Sequence, residues 1–245
     1  MKIDYDQASK TYDNTRTFSG LILESFSEQV SLLAGTNVLD FGCGTGNYLN
    51  EIYMRFGCRC FGVEPSERMR HIATDKNPAL NIKCGDHKSI PFEDGVFDFV
   101  YMTDVVHHVP DLMSMFGELS RVLRLSGWLC IVTESHEQID DRFYNSYFPT
   151  LGMIEKNRYP DINAIIQSGL KWSFAFSSVK NLPKLPPLKI DAEFIRNVTE
   201  KNWSMFRLLS ETEFYSGLKQ LKSDLGKELE IGRAGCSLIW LKKSK

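Results

Sequence analysis

The residues best placed to do chemistry begin with Asp40-x-Gly42-x-Gly44-x-Gly46, which follows the apolar, strand-prone pair Val38-Leu39 and leads into a helical pattern. Glycines at alternate positions let the main chain turn through angles closed to other residues and bring a ligand directly onto the backbone. The helix that follows turns its N–H groups and positive dipole end toward a carboxylate or phosphate. Two ligand classes compete for such a turn. The dinucleotide fingerprint Gly-x-Gly-x-x-Gly would place its third glycine where this chain has Asn47. Asp40 would also repel a pyrophosphate, whereas the same carboxylate suits a ligand with a positive end.

Three more clusters follow. Glu64 stands after the strand-like run Arg59–Val63, 24 residues beyond Asp40. A carboxylate at that strand tip can accept from both hydroxyls of a ribose, an arrangement common to several nucleotide folds. Gly85-Asp86-His87 ends a third strand pattern that begins at Asn81. Thr103-Asp104-Val105-Val106-His107-His108 closes a fourth strand pattern, Phe97–Met102. Ligands of open α/β sheets bind at such carboxyl ends. Imidazoles there titrate near neutral pH, so His107 and His108 are the candidate catalytic residues.

The elements that must position these residues alternate. Ile22, Phe26, Val30 and Leu33 are spaced as a helix before the glycine turn, and Leu49, Ile52, Tyr53 and Phe56 form a helical face after it, ended by Gly57. Ser66 and Asp111 are expected helix caps. The helix after Asp111 carries Leu112, Met115, Phe116, Leu119, Val122 and Leu123, with Gly127 as its expected stop and Trp128–Val132 as a fifth strand. This alternation implies a parallel sheet covered on both faces. Beyond Glu134 the pattern becomes helical and aromatic, with a helix over Asp161–Gln167. Ser173–Lys180 then alternates as a strand, and a connector holds Pro183, Pro186 and Pro187. Asp191 caps another helix, Ser210-x-x-Glu213 reads as a capping box, and Ser237–Leu241 is a seventh strand.

Asp-x-Gly-x-Gly-x-Gly after a buried strand resembles motif I of the class I S-adenosylmethionine methyltransferases. Pro91-Phe92-Glu93-Asp94-Gly95-Val96-Phe97-Asp98 resembles a further segment of that family, and the spacing Tyr5-Asp6, Ala8, Tyr12-Asp13, Arg16 resembles the lid ahead of motif I in its small-molecule members. The resemblance covers roughly residues 5–135 and is looser beyond. It implies a Rossmann-like α/β fold: a seven-stranded, mostly parallel sheet with one antiparallel strand near the C-terminus, helices on both faces and a helical cap. It implies S-adenosyl-L-methionine as cofactor, held by Tyr12, Arg16, Asp40, Gly42, Gly44, Gly46, Glu64, Asp86, His87 and Thr103. Asp86 is the position expected to accept from the adenine amino group. The chain is expected to be a single methyltransferase domain over 1–245, with an N-terminal lid of about 1–35 and cap segments of about 136–172 and 190–226, lying over the same edge as the glycine turn.

Composition narrows the partners. A net charge of -2 over 245 residues argues against a dedicated nucleic-acid binder. The chain has neither an apolar leader nor a long uncharged run, so a cytoplasmic location and no membrane partner are expected. The six cysteines lie in or beside strand patterns and read as buried thiols; Cys58-x-Cys60 has no second pair to complete a zinc set, so no metal is expected. The leading expectation is methyl transfer to a small organic molecule. An RNA or protein methyltransferase and a non-methylating S-adenosylmethionine-binding protein are the alternatives. The absence of an Asn/Asp-Pro-Pro-Tyr tetrapeptide after the fourth strand counts against adenine and glutamine N-methylation.

Overall fold

The computed structural model describes residues 18–182, 188–229 and 235–244. In chain order the elements are α1 (Gly20–Gln29), β1 (Asn37–Phe41), α2 (Asn47–Phe56), β2 (Arg59–Val63), α3 (Glu67–Lys76), β3 (Asn81–Lys83), β4 (Phe97–Thr103), a 3-10 turn (Val106–His108), α4 (Leu112–Val122) and β5 (Leu123–Thr133). There follow α5 (His136–Asp140), a 3-10 turn (Phe143–Ser146), α6 (Leu151–Arg158), α7 (Ile162–Leu170), β6 (Phe174–Asn181), β7 (Leu188–Lys189), α8 (Ala192–Thr199), a 3-10 turn (Ser204–Leu208), α9 (Glu211–Ser223), β8 (Glu228–Leu229) and β9 (Ser237–Lys243).

Seven strands form one sheet in the order β3-β2-β1-β4-β5-β9-β6. β3, β2, β1, β4 and β5 run parallel, and β9 runs antiparallel to β5. The expected α/β fold, with its reversed strand near the C-terminus, is therefore present. The order turns around at β1 and β4, so the carboxyl ends of β2, β1 and β4 lie side by side at the point where such sheets bind ligands. The sheet is buried on both faces: Val38, Leu39, Phe97, Phe99, Val100 and Met102 have no exposed surface. That explains the near-continuous apolar runs of the central strands.

Local chemistry sets the helix starts. The Ser66 hydroxyl accepts from the Met69 N–H, and the Asp111 carboxylate accepts from the N–H groups of Met113 and Ser114, as the sequence indicates. Gly127 does not end α4. The helix stops at Val122 and the chain enters β5 directly at Leu123. Ser126 takes a left-handed φ of 64°, and the β4–β5 register slips between Phe97 and Phe99. Phe97 pairs with Leu123 and Phe99 with Trp128, so the Ser-Gly pair lies in an irregular bulge of β5 that holds several extra residues.

The described residues divide into two compact units. The sheet unit takes those up to Thr133, with Ile162–Lys180 and Ser237 onward; the other takes Glu134–Asp161 and those within Asn181–Cys236. The expected cap segment of 136–172 is therefore split. α7 belongs with the sheet because Gly169 lets it approach closely: a Cβ there would lie 3.0 Å from Leu241 Cδ1 and 3.1 Å from Phe116 Cε1. The second unit has its own core, with Phe148, Leu151, Ile190, Val198, Phe206 and Leu221 fully buried. Within it Asp191 caps α8 as expected, through the Phe194 N–H. The capping box expected at Ser210 is only half formed. The Ser210 hydroxyl accepts from the Glu213 N–H, but the Glu213 carboxylate instead accepts from the N–H and hydroxyl of Thr150, at 2.8 and 2.6 Å. A two-way box forms at Ser135 and Gln138, at the start of α5.

Candidate active site

The site is built from the carboxyl ends of β1, β2 and β4. Asp40 pairs with Tyr101 in the parallel β1–β4 register, so both side chains leave the same face of the sheet. The Tyr101 hydroxyl donates to Asp40 Oδ2 at 2.9 Å. Asp40 is 2% exposed, and its Oδ1 is buried with no hydrogen-bond partner among the described residues. Burial raises the Asp40 pKa to about 7; the Tyr101 hydrogen bond opposes the rise and the nearby Glu64 carboxylate adds to it. Burial, followed by the Asp40 charge, holds the Tyr101 phenol well above its ordinary value.

The turn after β1 closes against β2. The N–H groups of Gly42 and Cys43 both donate to the Val63 carbonyl, at 2.8 and 3.1 Å. Glu64, 6% exposed, accepts from the Gly44 N–H at 3.1 Å through Oε2 and from the Ser66 N–H at 2.9 Å through Oε1. One carboxylate thus ties the glycine turn to the start of α3. Gly46, which has no side chain to cap with, is the N-cap of α2 at φ 77°.

Gly42 is required by its surroundings as well as by its angle. Its φ is +80°, and a Cβ would sit 2.6 Å from Val105 Cγ2 and 2.9 Å from Val105 Cγ1. The segment after β4 therefore lies directly on the glycine turn. Gly42→Ala is expected to destabilise the protein by about 2–5 kcal/mol, from a left-handed angle at ~1–2 kcal/mol and steric overlap at ~1–3 kcal/mol. Thermal unfolding measures this, and Val105→Ala in the same background should restore part of the loss; equal melting of wild type and Gly42→Ala would contradict it.

The other expected site residues fall as follows. Thr103 ends β4, pairing with Val132 of β5, and Asp104 beyond it adopts a left-handed φ of 57°. His107 and His108 sit in the 3-10 turn after β4, with ring centroids 3.9 Å apart; His107 is half-buried and His108 exposed. Asp86 lies three residues past β3, exposed, bridged to Ser89, with its Oδ1 accepting from the Lys88 N–H. His87 is half-buried. The structure brings the glycine turn, Asp40, Glu64, Thr103 and the histidine turn to adjacent strand ends. Tyr12 and Arg16 lie outside the described residues.

Two contributors escape sequence reasoning. Tyr101 reads as one more apolar strand residue, and only the β1–β4 register reveals its hydroxyl on Asp40. Arg121 donates to the carbonyls of Ile90 and Phe92 and pairs with Asp94 and Glu118, pinning loop 90–95 to α4. No periodicity signals that staple.

Comparison with known proteins bears on the fold and the family. Residues 39–131 match the family described as "Methyltransferase domain", a span running from β1 into β5. Over that span the chain resembles the class I S-adenosylmethionine-dependent methyltransferases. Sterol 24-C-methyltransferase of Schizosaccharomyces pombe is 34% identical to this chain over 106 residues, which is 40% of this chain and 28% of that protein. A malonyl-[acyl-carrier protein] O-methyltransferase of Marinomonas is 22% identical over 228 residues, covering 85% of this chain and 84% of the other. The chain thus spans less than a third of the sterol enzyme. A solved structure from an antibiotic biosynthesis pathway of Anabaena variabilis superposes with a TM-score of 0.74 at 22% identity, covering 92% of this chain and 98% of that one. That likeness concerns the fold. Among the described residues no helix is long and apolar enough to cross a membrane.

Proposed function

We propose that this methyltransferase moves a methyl group from S-adenosyl-L-methionine to a small organic acceptor. The observation that carries the reading is a pair of buried carboxylates, Asp40 and Glu64, flanking the glycine turn. Two buried negative charges repel a dinucleotide's pyrophosphate and favour a cationic ligand that also carries ribose hydroxyls. The residues fit that cofactor: Glu64 would accept from its hydroxyls, the turn would admit it onto bare backbone, and the buried Oδ1 of Asp40 would suit a donor or a positive charge. Asp86 and Thr103, with His87, Tyr12 and Arg16, complete the proposed binding set.

When bound, the cofactor supplies an activated methyl group, so the chain need not build an electrophile. Its residues bind, orient and exclude water, which is where most of the rate advantage arises. His107 and His108, at the end of β4, are the proposed proton acceptors for an acidic acceptor group. The 190–226 region and the 136–161 part of the expected cap, both within the aromatic second unit, are proposed to serve the acceptor. The relative named for a sterol supports a small organic acceptor. The net charge of -2 weighs against RNA, and we place the protein in the cytoplasm.

The test is incubation with methyl-labelled cofactor and matched panels of small organic acceptors, RNA and protein. S-adenosylhomocysteine formation that depends on a small acceptor supports the proposal. Label entering RNA or protein alone, or no turnover with any panel, overturns it.

A further inference from the structure

Asp40 presents an asymmetric carboxylate. Oδ2 is held by the Tyr101 hydroxyl at 2.9 Å, and Oδ1 is buried with no hydrogen-bond partner among the described residues. A buried acceptor left unsatisfied costs about 1–3 kcal/mol, more when charged. Such an atom is completed by a proton or by a ligand's donor.

Among the described residues, the groups that bear on it by hydrogen bond or charge are acidic or neutral. From β1's own turn comes Cys43; from β2 come Cys60 and, just beyond it, Glu64; from β4 comes Tyr101. From α1, Phe26 packs against the Tyr101 ring, with centroids 4.9 Å apart. Arg70 of α3 donates to the main-chain carbonyls of Glu64 and Pro65. Among the described residues no cationic side chain donates to Asp40, and the one hydrogen bond to its carboxylate there is the phenol's.

We propose that Tyr101 is a positioning residue for cofactor binding: its hydroxyl anchors Oδ2 of Asp40, favours the charged carboxylate and keeps Oδ1 for the cofactor's cationic end. The inference rests on the S-adenosylmethionine reading above. It assigns a role to a side chain that reaches that cofactor only through another.

The consequence is a proton linkage with a definite sign. Burial, with Tyr101 opposing and Glu64 adding, leaves Asp40 with a pKa of about 7. A proton on Asp40 competes with a cationic ligand, so affinity should rise with pH until Asp40 is fully ionised. Below that point the gain is about tenfold per pH unit. The useful window is about pH 5.5 to 7.5, where the cofactor's own amine stays mostly protonated. Removing the Tyr101 hydroxyl removes the interaction that favours the charged form, so the Asp40 midpoint must move up.

The experiment compares full-length wild type, Tyr101→Phe and Asp40→Asn. S-adenosylhomocysteine affinity is measured calorimetrically across that window, and the Asp40 carboxyl is titrated by carbon-13 NMR without ligand. Wild type should gain affinity as pH rises and level off near the top of the window. Tyr101→Phe should bind at least tenfold more weakly at its upper end, still be rising there, and show an upward-shifted carboxyl midpoint. Asp40→Asn should have a flat profile, and adding Tyr101→Phe to it should change nothing further. A Tyr101→Phe profile parallel to wild type, with an unmoved midpoint, overturns the proposal. Should Tyr101→Phe fail to fold, the wild-type and Asp40→Asn profiles decide: a sloped profile flattened by Asp40→Asn supports it, and a wild-type profile already flat overturns it. Absence of any binding by wild type would instead sink the cofactor reading itself.

Discussion

Glu64→Ala is expected to weaken S-adenosylhomocysteine binding by at least ~100-fold, about 2.7 kcal/mol. The carboxylate has two tasks. It accepts from the Gly44 and Ser66 N–H groups, holding the turn against the start of α3. On the proposed reading it also accepts from the ribose. Hydrogen bonds to a charged partner contribute about 1.5–3 kcal/mol each, so losing the bonds from both ribose hydroxyls accounts for the effect. Glu64→Gln should recover little, because its NH2 group would face a backbone N–H donor. A double-mutant cycle separates the two tasks. Wild type should discriminate strongly against a ligand lacking the ribose hydroxyls, and Glu64→Ala should bind both ligands alike. If Glu64→Ala bound S-adenosylhomocysteine with unchanged affinity, Glu64 would have no place in the site.

Arg142→Met should cost about 3–5 kcal/mol in the second unit. The guanidinium is 9% exposed and spans Glu134 at 2.7 Å and Glu155 at 2.8 Å. Glu155 is itself buried and also pairs with Arg158. Arg142 lies 5.4 Å from the Tyr159 ring centroid, a cation–π contact. Burial works against the Arg142 charge, but Glu134 and Glu155 outweigh it and hold its pKa above the ordinary value. Methionine would leave two carboxylates with their main counter-ion gone. Hydrogen exchange over residues 151–158 reads the outcome locally: amide protection in α6 should fall by about a hundredfold or more. Lysine at the same position should restore part, because one ammonium cannot fork between two carboxylates. Protection equal to wild type in Arg142→Met would show that the cluster is solvated and contributes little.

Much of the sheet unit was legible because its signals are local. The seven strands stand where apolar runs and turn residues place them, and Ser66, Asp111 and Asp191 cap the helices they precede. The glycine turn and Glu64 were readable because a tight turn and a strand-tip acid are each set by a few neighbouring residues. What could not be read depends on partners far along the chain. The Asp40–Tyr101 bond spans 61 residues and exists only because β4 pairs beside β1 in that register. Glu213 leaves its capping box for Thr150, 63 residues away. Gly127 carries the same signal for a helix stop and for a strand bulge, and the β4–β5 pairing decides between them. α7 looked like part of the cap because its periodicity names a helix and not the surface it meets; the absence of a side chain at Gly169 sets it beside Phe116 and Leu241.

The central claim is that the glycine turn, Asp40 and Glu64 form a site for S-adenosylmethionine. Calorimetric titration of the full chain with S-adenosylmethionine, slightly above neutral pH and with Glu64→Ala alongside, tests it most directly. The account predicts saturable binding of one ligand per chain, undisturbed by excess NAD and lost in the variant. No saturable binding by wild type, displacement by NAD, or equal binding by both proteins would contradict it.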